Sequence, residues 1–428
     1  MKDYITKYLY NDSYMKKFLS DTQYMGIDKE TPSFFRADDV TILPTKKDPD
    51  LFWGRGGAIT NEGNFIEASR VGDAFGGYYD FEKEKVPFYR ETVIYIPVIP
   101  NHWGHFLLDC LCRFWFINDD KYKDYRIAFC GYNWSNNQVE GNYLELLHLM
   151  GIDDSRLIYI KEPCSFACVL IPEPTLGYTI ANSSYRNIID TIIANVYKSE
   201  IIKNLQPYEK IYFSRAHFWR SSIREVGEKE IENQFAINGF KILSPEQLNV
   251  YEQIFYINNA KIMACTNGTL PHNSIFRGKH DFELIILAKT PVINPPQFVI
   301  DDLFDINSVY IDSFQKIMNY YAPTYGEDPF WLSDNNNLEK FFLDRGYIFE
   351  KKGKFTYFAV KCKQFFRFEY LLVRKKFSKN KYLKALRNIT GAYVGGIVGN
   401  TYGKISYCYN IGMVEGNQVN IGGIAGQN

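Results

Sequence analysis

Two successive series of short apolar segments, alternating with helix-like segments, constrain the fold of this 428-residue chain more than any other feature. The first series comprises VIYIPVI (93–99), RIAFC (126–130), RLIYI (156–160) and CVLI (168–171). The second comprises KIYFS (210–214), FKIL (240–243), AKIMA (260–264) and ELIIL (283–287). Segments between them, such as NIIDTIIANVYK (187–198), repeat their apolar residues with the 3.6-residue period of a helix. This alternation predicts an α/β protein with two doubly wound parallel sheets.

Polar residues at the ends of the predicted strands indicate where a ligand binds. In doubly wound sheets, ligands lie outside the carboxyl ends of the strands, and a cleft between two such lobes is the expected site. The segment NHWGHFLLD (101–109) follows the first predicted strand. On a helix, His105 and Asp109 share a face, which Arg113 continues. An imidazole beside a carboxylate suits a general base, whereas the alternative is a structural pair without chemistry.

The same segment supplies candidates for substrate binding. His102 lies at the start of the predicted helix, and the Trp103 indole offers a flat surface for a sugar or other ring. With Arg113, these two residues form the predicted substrate-binding set.

Two further clusters lie in the second series. Arg215 ends the strand KIYFS, and Arg220 and Arg224 follow it. Arginines at a strand end suit recognition of a phosphate or diphosphate, although a solvated surface loop is the alternative. The other cluster lies between AKIMA and a short predicted helix, where free N–H groups of the helix start can face an anion. Its candidate residues are Thr266, Asn267, Gly268, Thr269, His272 and Asn273.

Composition and missing motifs exclude several classes of protein. Lys plus Arg and Asp plus Glu both number 49, so the chain is not a globally basic nucleic-acid binder. With no apolar leader and no run long enough to span a membrane, we expect a soluble cytoplasmic protein. The eight cysteines lack a metal-binding spacing, and we expect reduced thiols. The chain has no dinucleotide, P-loop, zincin or hydrolase fingerprint and no DxD acidic clamp. A reaction without a metal or cofactor is therefore expected.

Residues 351–388 form a basic, aromatic segment with thirteen Lys or Arg against one acid, Glu369. A cationic segment rich in aromatics suits the surface of an anionic membrane leaflet. A solvated basic helix resting on the acidic remainder of the chain is an equally open alternative. Nucleic acid is a weaker one, because no binding fold accompanies the charge.

Residues 389–428 are rich in Gly, Asn and β-branched residues, and GGIVG (395–399) recurs as GGIAG (422–426). Apolar strands at a fixed period suggest a β-solenoid coil. The segment resembles the GLUG repeat, a module of bacterial surface proteins.

The middle of the chain resembles glycosyltransferase family 61, including its bacterial capsular-polysaccharide members. The resemblance covers about residues 40–345 and is carried by GGAITNEGNFIEAS (56–69), NHWGHFLLDCLCRFW (101–115), IYFSRAHFWR (211–220) and the long string 227–276. It implies a GT-B fold with two Rossmann-like lobes facing a cleft, an inverting reaction and no metal held by a DxD motif. The implied domains are an acceptor lobe (1–200), a donor lobe (201–310) and helices that pack back (311–350), followed by the basic tail (351–388) and the repeat (389–428).

The resemblance also implies roles for individual residues. It places the acceptor and the catalytic base near His105 and Asp109, and the donor diphosphate near Arg215 and the turn 266–269. Glu252 and Gln253 are implied to lie close to the nucleoside. The chain departs from the family where Gly227-Glu228 replaces the usual Asn-Glu and where CTNGT replaces an HGAG-like turn.

The resulting hypothesis is a glycosyltransferase of surface polysaccharide synthesis. It transfers a sugar from a nucleotide-sugar, expected to be a UDP-sugar, to a free or lipid-linked saccharide at the inner face of the plasma membrane. The alternatives are a catalytically inactive GT-B-like partner protein and a surface-binding module.

Overall fold

The computed structural model describes residues 26–131, 139–290, 294–315 and 329–378, with the two short pairs 394–395 and 421–422. The chain divides into two units, of which the first ends at Lys351 and the second begins at Lys352. The sequence of the first 50 residues predicts helix followed by irregular structure, and residues 1–25 of this range lie outside the described residues.

Fifteen strands belong to the described part of the first unit. In chain order they are β1 (Gly26–Asp28), β2 (Phe34–Lys46), β3 (Arg55–Ile59), β4 (Phe88–Val98), β5 (Arg126–Cys130), β6 (Leu157–Tyr159), β7 (Cys164–Pro172), β8 (Ile180–Asn182), β9 (Lys210–Phe213), β10 (Glu225–Val226), β11 (Lys241–Leu243), β12 (Ile262–Thr266), β13 (Glu283–Ala288), β14 (Asn307–Asp312) and β15 (Phe330–Trp331). All eight apolar segments that the sequence marks as strands are strands in the structure.

The described helices of eight or more residues in this unit lie between and behind these strands. They are α1 (Asn142–Leu149), α2 (Ser184–Val196), α3 (Glu228–Ala236), α4 (Val250–Asn259), α5 (Pro296–Leu303) and α6 (Asn336–Asp344). The pattern Ser244-Pro245 before EQLNVYEQIFYI predicts a helix with Pro245 in its first turn, but α4 begins later, at Val250. Ser244 and Pro245 start only a short 3₁₀ turn without a side-chain cap, and Asn249 caps α4 through a capping box with Glu252.

The second sheet is entirely parallel, as predicted. Its strand order is β11-β9-β12-β13-β14. The chain adds β11 on one side of β9 and then β12, β13 and β14 on the other side, so the strand order reverses between β9 and β12. In open α/β sheets of this order, the crevice at that reversal is the place where ligands bind. The carboxyl ends of β9 and β12 carry Arg215 and the 266–269 turn.

The first sheet is mixed, and the prediction of a purely parallel sheet is wrong there. Its order is β3-β2-β7-β4-β5-β6, in which β2 is antiparallel to both β3 and β7. The remaining neighbours are parallel. The strand β2 lies in the first 50 residues, which the sequence predicted to be helical and then irregular; its charged residues and Pro44 hide the strand pattern.

The two sheets share one hydrophobic core. It includes Ile94 and Ile127 from the first sheet and Ile211 and Leu284 from the second, all fully buried. A second core lies on the other face of the first sheet, and a third joins the second sheet to α3 and α6. Because the main core is continuous, the carboxyl ends of both sheets are held close together.

The second unit contains one long helix, α7 (Lys354–Ser378). No described helix is both long and apolar enough to cross a membrane. The strands β16 (Val394–Gly395) and β17 (Ile421–Gly422) pair in parallel, with partners 27 residues apart, which is the spacing of the two glycine-rich strings. The β-solenoid stays a prediction, since the rest of 389–428 lies outside the described residues.

Candidate functional site

A pocket of about 380 Å³ opens where the carboxyl ends of both sheets meet. Four chain segments line it, and each follows a parallel strand: β4, β7, β12 or β13. The lining residues are His102, Gly104, His105, Leu108, Asp109, Leu176, Gly177, Tyr178, Thr269, His272, Asn294, Pro295 and Pro296. The site therefore lies where ligand sites of open parallel sheets are found.

The segment after β4 is a series of short turns instead of the predicted continuous helix. One α-helical turn (Trp103–His105) is followed by a π-helical turn (Phe106–Cys110) and a 3₁₀ turn (Leu111–Arg113). The widened turn changes the rotation per residue, so Arg113 does not continue the face of His105. Arg113 is instead buried and donates to the carbonyl oxygens of Pro172 and Arg70. Its guanidinium is thus bound to backbone and is not part of the pocket lining, and a contact of Arg113 with the substrate stays a prediction.

His105 and Asp109 form a close pair at the pocket wall. The distance from Nδ1 of His105 to Oδ2 of Asp109 is 2.7 Å, and both side chains are partly exposed. A carboxylate at Nδ1 holds the proton there, so the lone pair of neutral His105 lies on Nε2. The Trp53 ring packs edge-on against the imidazole at 5.0 Å between centroids. The pair has the arrangement of an oriented general base.

His102 stands beside this pair, with its ring centroid 4.8 Å from that of His105. Burial lowers the pKa of His102 to about 4, and electrostatic repulsion between the His102 and His105 rings contributes next. Arg220 adds a smaller repulsion of the same kind. His102 is therefore neutral at pH 7 and can exchange hydrogen bonds with a hydroxyl group.

Trp103 is not among the pocket-lining residues. Its indole N–H donates to Oδ1 of Asn273 over 2.7 Å, and its ring contacts Tyr143 at 5.6 Å between centroids. Trp103 and Asn273 follow strands of different sheets, so this hydrogen bond joins the sheets. The predicted stacking surface for a sugar is thus directed into the sheet contact.

His272 lines the pocket from the segment that follows β12. It is buried, and both of its ring nitrogens have hydrogen-bond partners. Asn294 Nδ2 lies 2.6 Å from His272 Nε2, and the Gln297 Oε1 lies 2.9 Å from Nδ1. Burial lowers the pKa of His272 to about 4. Since both ring nitrogens have partners in the neutral form, His272 supplies shape and polarity to the site and no positive charge.

A second polar cluster lies at the carboxyl ends of β9 and β13. The Lys289 ammonium is 3.2 Å from Oε1 of Glu225, and Nε of Arg215 is 3.7 Å from the same oxygen. Arg215 also donates to the hydroxyl of Ser221. Lys289 was missed by the sequence reasoning, although its place directly after a parallel strand was a signal that could have found it.

Glu228 fixes the backbone of this cluster. Its Oε1 accepts hydrogen bonds from the Tyr212 hydroxyl at 3.1 Å and from the Arg215 backbone N–H at 3.0 Å. Burial and the negative charge of Glu225 raise the pKa of Glu228 to about 8. With Glu228 neutral, the two nearby cations, Arg215 and Lys289, share the single carboxyl group of Glu225, which favours an anionic ligand.

The turn after β12 brings the backbone close to this cluster. Thr266 is fully buried, the Asn267 side chain accepts a hydrogen bond from the Gly268 N–H, and Thr269 reaches the pocket. Gly268 has a φ of +138°, and a side chain there would meet the Lys289 ammonium at 3.9 Å. The turn therefore lies between the pocket and the cation cluster.

The other residues with predicted roles are exposed or make hydrogen bonds within the fold. Arg220 and Arg224 are exposed after β9. Glu252 accepts from the Asn249 backbone N–H, and Gln253 donates to the carbonyl oxygens of Pro245 and Leu248. These bonds organise the start of α4, and a nucleoside contact for Glu252 or Gln253 stays a prediction.

Several pocket residues were not predicted from the sequence. Tyr178 follows β7 and Asn294 follows β13, so both lie beyond the carboxyl end of a strand, where ligands of open α/β sheets bind. Neither segment carries a motif that could have identified it from the sequence. Trp53 reaches His105 from the loop after β2, a strand that the sequence did not reveal.

The family model for glycosyltransferase 61 matches residues 103–283 of the chain. The match is to a glycosyltransferase. It begins at the turns that carry His105 and Asp109 and ends at the first residue of β13, so it includes the Arg215 segment and the 266–269 turn. No curated protein matches the chain. The similarity to glycosyltransferase family 61 supports a glycosyltransferase activity and a requirement for a sugar donor and an acceptor, and the α/β architecture with parallel sheets fits such an enzyme.

Among the described residues, no group of three or more His, Cys, Asp or Glu side chains is placed to hold a metal ion. The described cysteines are unpaired thiols, as expected from their spacing. Independence of a metal stays a prediction.

Proposed function

We propose that this protein is an inverting, metal-independent glycosyltransferase with a GT-B arrangement of its two sheets. It transfers a sugar from a nucleotide-sugar, for which a UDP-sugar is the first candidate, to a saccharide acceptor in surface polysaccharide synthesis. The observation that supports this proposal most directly is the His105–Asp109 pair in a pocket between the carboxyl ends of two sheets, inside the range that matches glycosyltransferase family 61.

In the proposed reaction, the acceptor hydroxyl attacks the anomeric carbon from the side opposite the nucleotide. The new glycosidic C–O bond forms as the bond to the diphosphate oxygen breaks, which inverts the anomeric centre. His105 Nε2 takes the proton of the attacking hydroxyl, and the Asp109 carboxylate stabilises the imidazolium that results. The neutral His102 beside it orients the acceptor.

The departing nucleoside diphosphate needs positive charge and N–H groups close to its oxygens. Arg215, Lys289 and the backbone of the 266–269 turn meet this need at the reversal point between β9 and β12. Glu228 supports them by holding the backbone at Arg215. We propose that these groups replace the metal ion that other sugar transferases use.

The proposed setting is the cytoplasmic side of the plasma membrane, where nucleotide-sugars are available and a lipid-linked acceptor can be presented. The enzyme is then a peripheral protein that acts on a saccharide carried by a membrane lipid. Binding to the membrane is argued separately below because it depends on a different part of the chain.

Thermal stabilisation by donors tests the proposal. The full-length protein is mixed with UDP-, GDP-, dTDP- and CMP-sugars, with and without EDTA, and the melting temperature is recorded. We expect one nucleotide class to raise the melting temperature by several degrees, unchanged by EDTA. A shift that EDTA abolishes contradicts the metal-independent mechanism. No shift with any donor contradicts donor binding and favours the inactive partner or the surface-binding module.

Substitution of the proposed base tests the mechanism with the donor so identified. His105→Ala is expected to keep the donor-induced stabilisation and to lower transfer by about 10²- to 10⁴-fold. His148→Ala is the matched control, because His148 also pairs with a carboxylate, Asp154, but on the exposed surface away from the pocket lining. Wild-type transfer by His105→Ala at saturating donor contradicts the assignment of the base.

A further inference from the structure

We propose that the exposed face of α7 is a docking surface for an anionic lipid bilayer. The helix begins three residues after the end of the first unit and continues for 25 residues. None of the catalytic groups proposed above lies on it. The proposal therefore stands whether or not the pocket transfers sugars.

Large aromatic side chains are exposed along one side of α7. The exposed fractions are 86% for Phe355, 66% for Phe358, 71% for Phe366 and 54% for Tyr370, and Val373 follows with 49%. At about 100° of rotation per residue, these five positions fall within a sector of about 120°. Scattered exposed apolar residues are common on proteins, but an aromatic stripe along one helix face, interrupted by Cys362 and the partly buried Glu369, indicates a surface that is covered in use.

Basic residues border this stripe on both sides. Helical rotation puts Lys354 and Lys361 along one border, and Lys363, Arg367 and Arg374 along the other. The helix contains seven Lys or Arg and a single acid, Glu369, which is partly buried. A row of positive charge on each side of an apolar stripe complements a negatively charged surface with an apolar interior.

A lipid bilayer fits this pattern better than other partners. In a helix that lies along a membrane surface, the rings enter the boundary between headgroups and acyl chains, while long basic side chains reach back to the phosphate groups. Nucleic acid would engage the charges but leave the aromatic stripe without a cover, since no base-stacking fold accompanies it. The helix α7 is not apolar enough to cross a membrane, and we expect it to lie along the membrane surface.

Vesicle binding by the full-length protein tests the proposal without a sugar donor. Flotation is measured with vesicles of pure phosphatidylcholine and with vesicles that contain about 30% phosphatidylglycerol. We expect at least tenfold tighter binding to the anionic vesicles and a clear decrease in 0.5 M NaCl, because salt screens the charge attraction. Absence of binding to the anionic vesicles overturns the proposal, as does equal affinity for both compositions.

Two double variants separate the apolar and electrostatic contributions. Phe358→Ser with Phe366→Ser removes part of the stripe, and Lys363→Gln with Arg374→Gln removes two charges from one border. Each is expected to weaken binding to anionic vesicles at least tenfold. The melting temperature of the apolar variant shows whether this variant folds. If it does not fold, the charge variant alone tests the proposal, because it alters only exposed side chains.

The matched control is Lys83→Gln with Lys85→Gln, which removes two charges from an exposed turn of the first unit. It is expected to bind vesicles as the wild type does. A loss equal to that of the α7 charge variant overturns the assignment to this helix. Tighter binding of the wild type to a 30-nucleotide single-stranded DNA than to anionic vesicles also overturns it and favours nucleic acid.

Discussion

At the scale of single residues, Glu228 links the stability of the protein to pH. Its carboxyl group is buried, and it accepts hydrogen bonds from Tyr212 and from the backbone of Arg215. Burial and the charge of Glu225 raise the pKa of Glu228 to about 8 in the folded protein. In the unfolded chain the pKa returns to its ordinary value near 4.5. Between these two values, the folded form binds one proton more than the unfolded form.

The folded form therefore loses stability as the pH rises from 6.5 to 8, because it still holds a proton that the unfolded form has already released, and holding that proton costs more free energy at higher pH. We expect the free energy of unfolding to fall by about 1 kcal/mol over this range and the fall to disappear in Glu228→Gln. The measurement is urea unfolding at several pH values. The range avoids His102 and His272, whose lowered pKa values act between about 4 and 6.5. The exposed Glu246→Gln is the control and should keep the wild-type slope; the same slope in Glu228→Gln contradicts the assignment.

The sequence predicted the His105–Asp109 contact correctly, because a four-residue spacing survives even in a short helical turn. It did not predict the side of the segment on which Arg113 lies, because no recognisable local pattern encodes the π-helical turn between His105 and Arg113. Nor did it predict that Trp103 bonds to Asn273, a residue 170 positions away on the other sheet. Local spacing identifies a pair, whereas the side of the pocket on which a residue lies depends on tertiary packing.

At the scale of elements, the sequence identified the buried parallel strands because they are continuous apolar runs. It missed β2, which carries charges and a proline and becomes a strand through its pairing with β3 and β7. The segment 54–71, which contains β3, is predicted as a β-hairpin, and β3 is a strand in the structure. The sequence also missed β14, the edge strand of the second sheet. Edge and antiparallel strands depend on their neighbours more than buried central strands do.

The start of α3 shows how one glycine fixes the position of an element. Gly227 precedes this helix with a φ of +93°, and a Cβ atom there would lie 2.0 Å from the carbonyl oxygen of Leu332. The backbone of Leu332 in turn donates to the Val226 carbonyl. The segment that contains β15 is thus held directly against the start of α3, which also carries Glu228.

We expect Gly227→Ala to lower the free energy of unfolding by about 3 kcal/mol or more, because backbone atoms must move apart and a positive φ is strained for alanine. The control is Gly151→Ala, with a φ of +77° and no atom within 4 Å of the added Cβ. It pays only the conformational cost of about 1 kcal/mol. Urea unfolding of both variants makes the comparison. Equal losses contradict the close approach to Leu332.

At the scale of the whole first unit, the site depends on contact between the two sheets. The pair His105–Asp109 follows β4, whereas Thr269 and the cation cluster follow strands of the second sheet. Gly104 and Thr269 lie close together at this contact: a Cβ atom on Gly104 would lie 3.1 Å from Oγ1 and 3.2 Å from Cγ2 of Thr269. The sequence marks each of these segments separately, but it contains no local signal for their contact.

A double-mutant cycle between Gly104 and Thr269 tests this contact, because each substitution alters one side of it. Gly104→Ala is expected to destabilise the wild type by about 1 kcal/mol, since Thr269 must give way to the added methyl group. In Thr269→Ala, which lacks both crowding atoms, the same substitution should be neutral or slightly stabilising, because alanine favours a helical turn over glycine. The coupling of about 1 kcal/mol is measured by urea unfolding of the four proteins. Additive effects would mean that the two sheets do not meet at Gly104, and the base and the donor-binding groups would then not share one pocket.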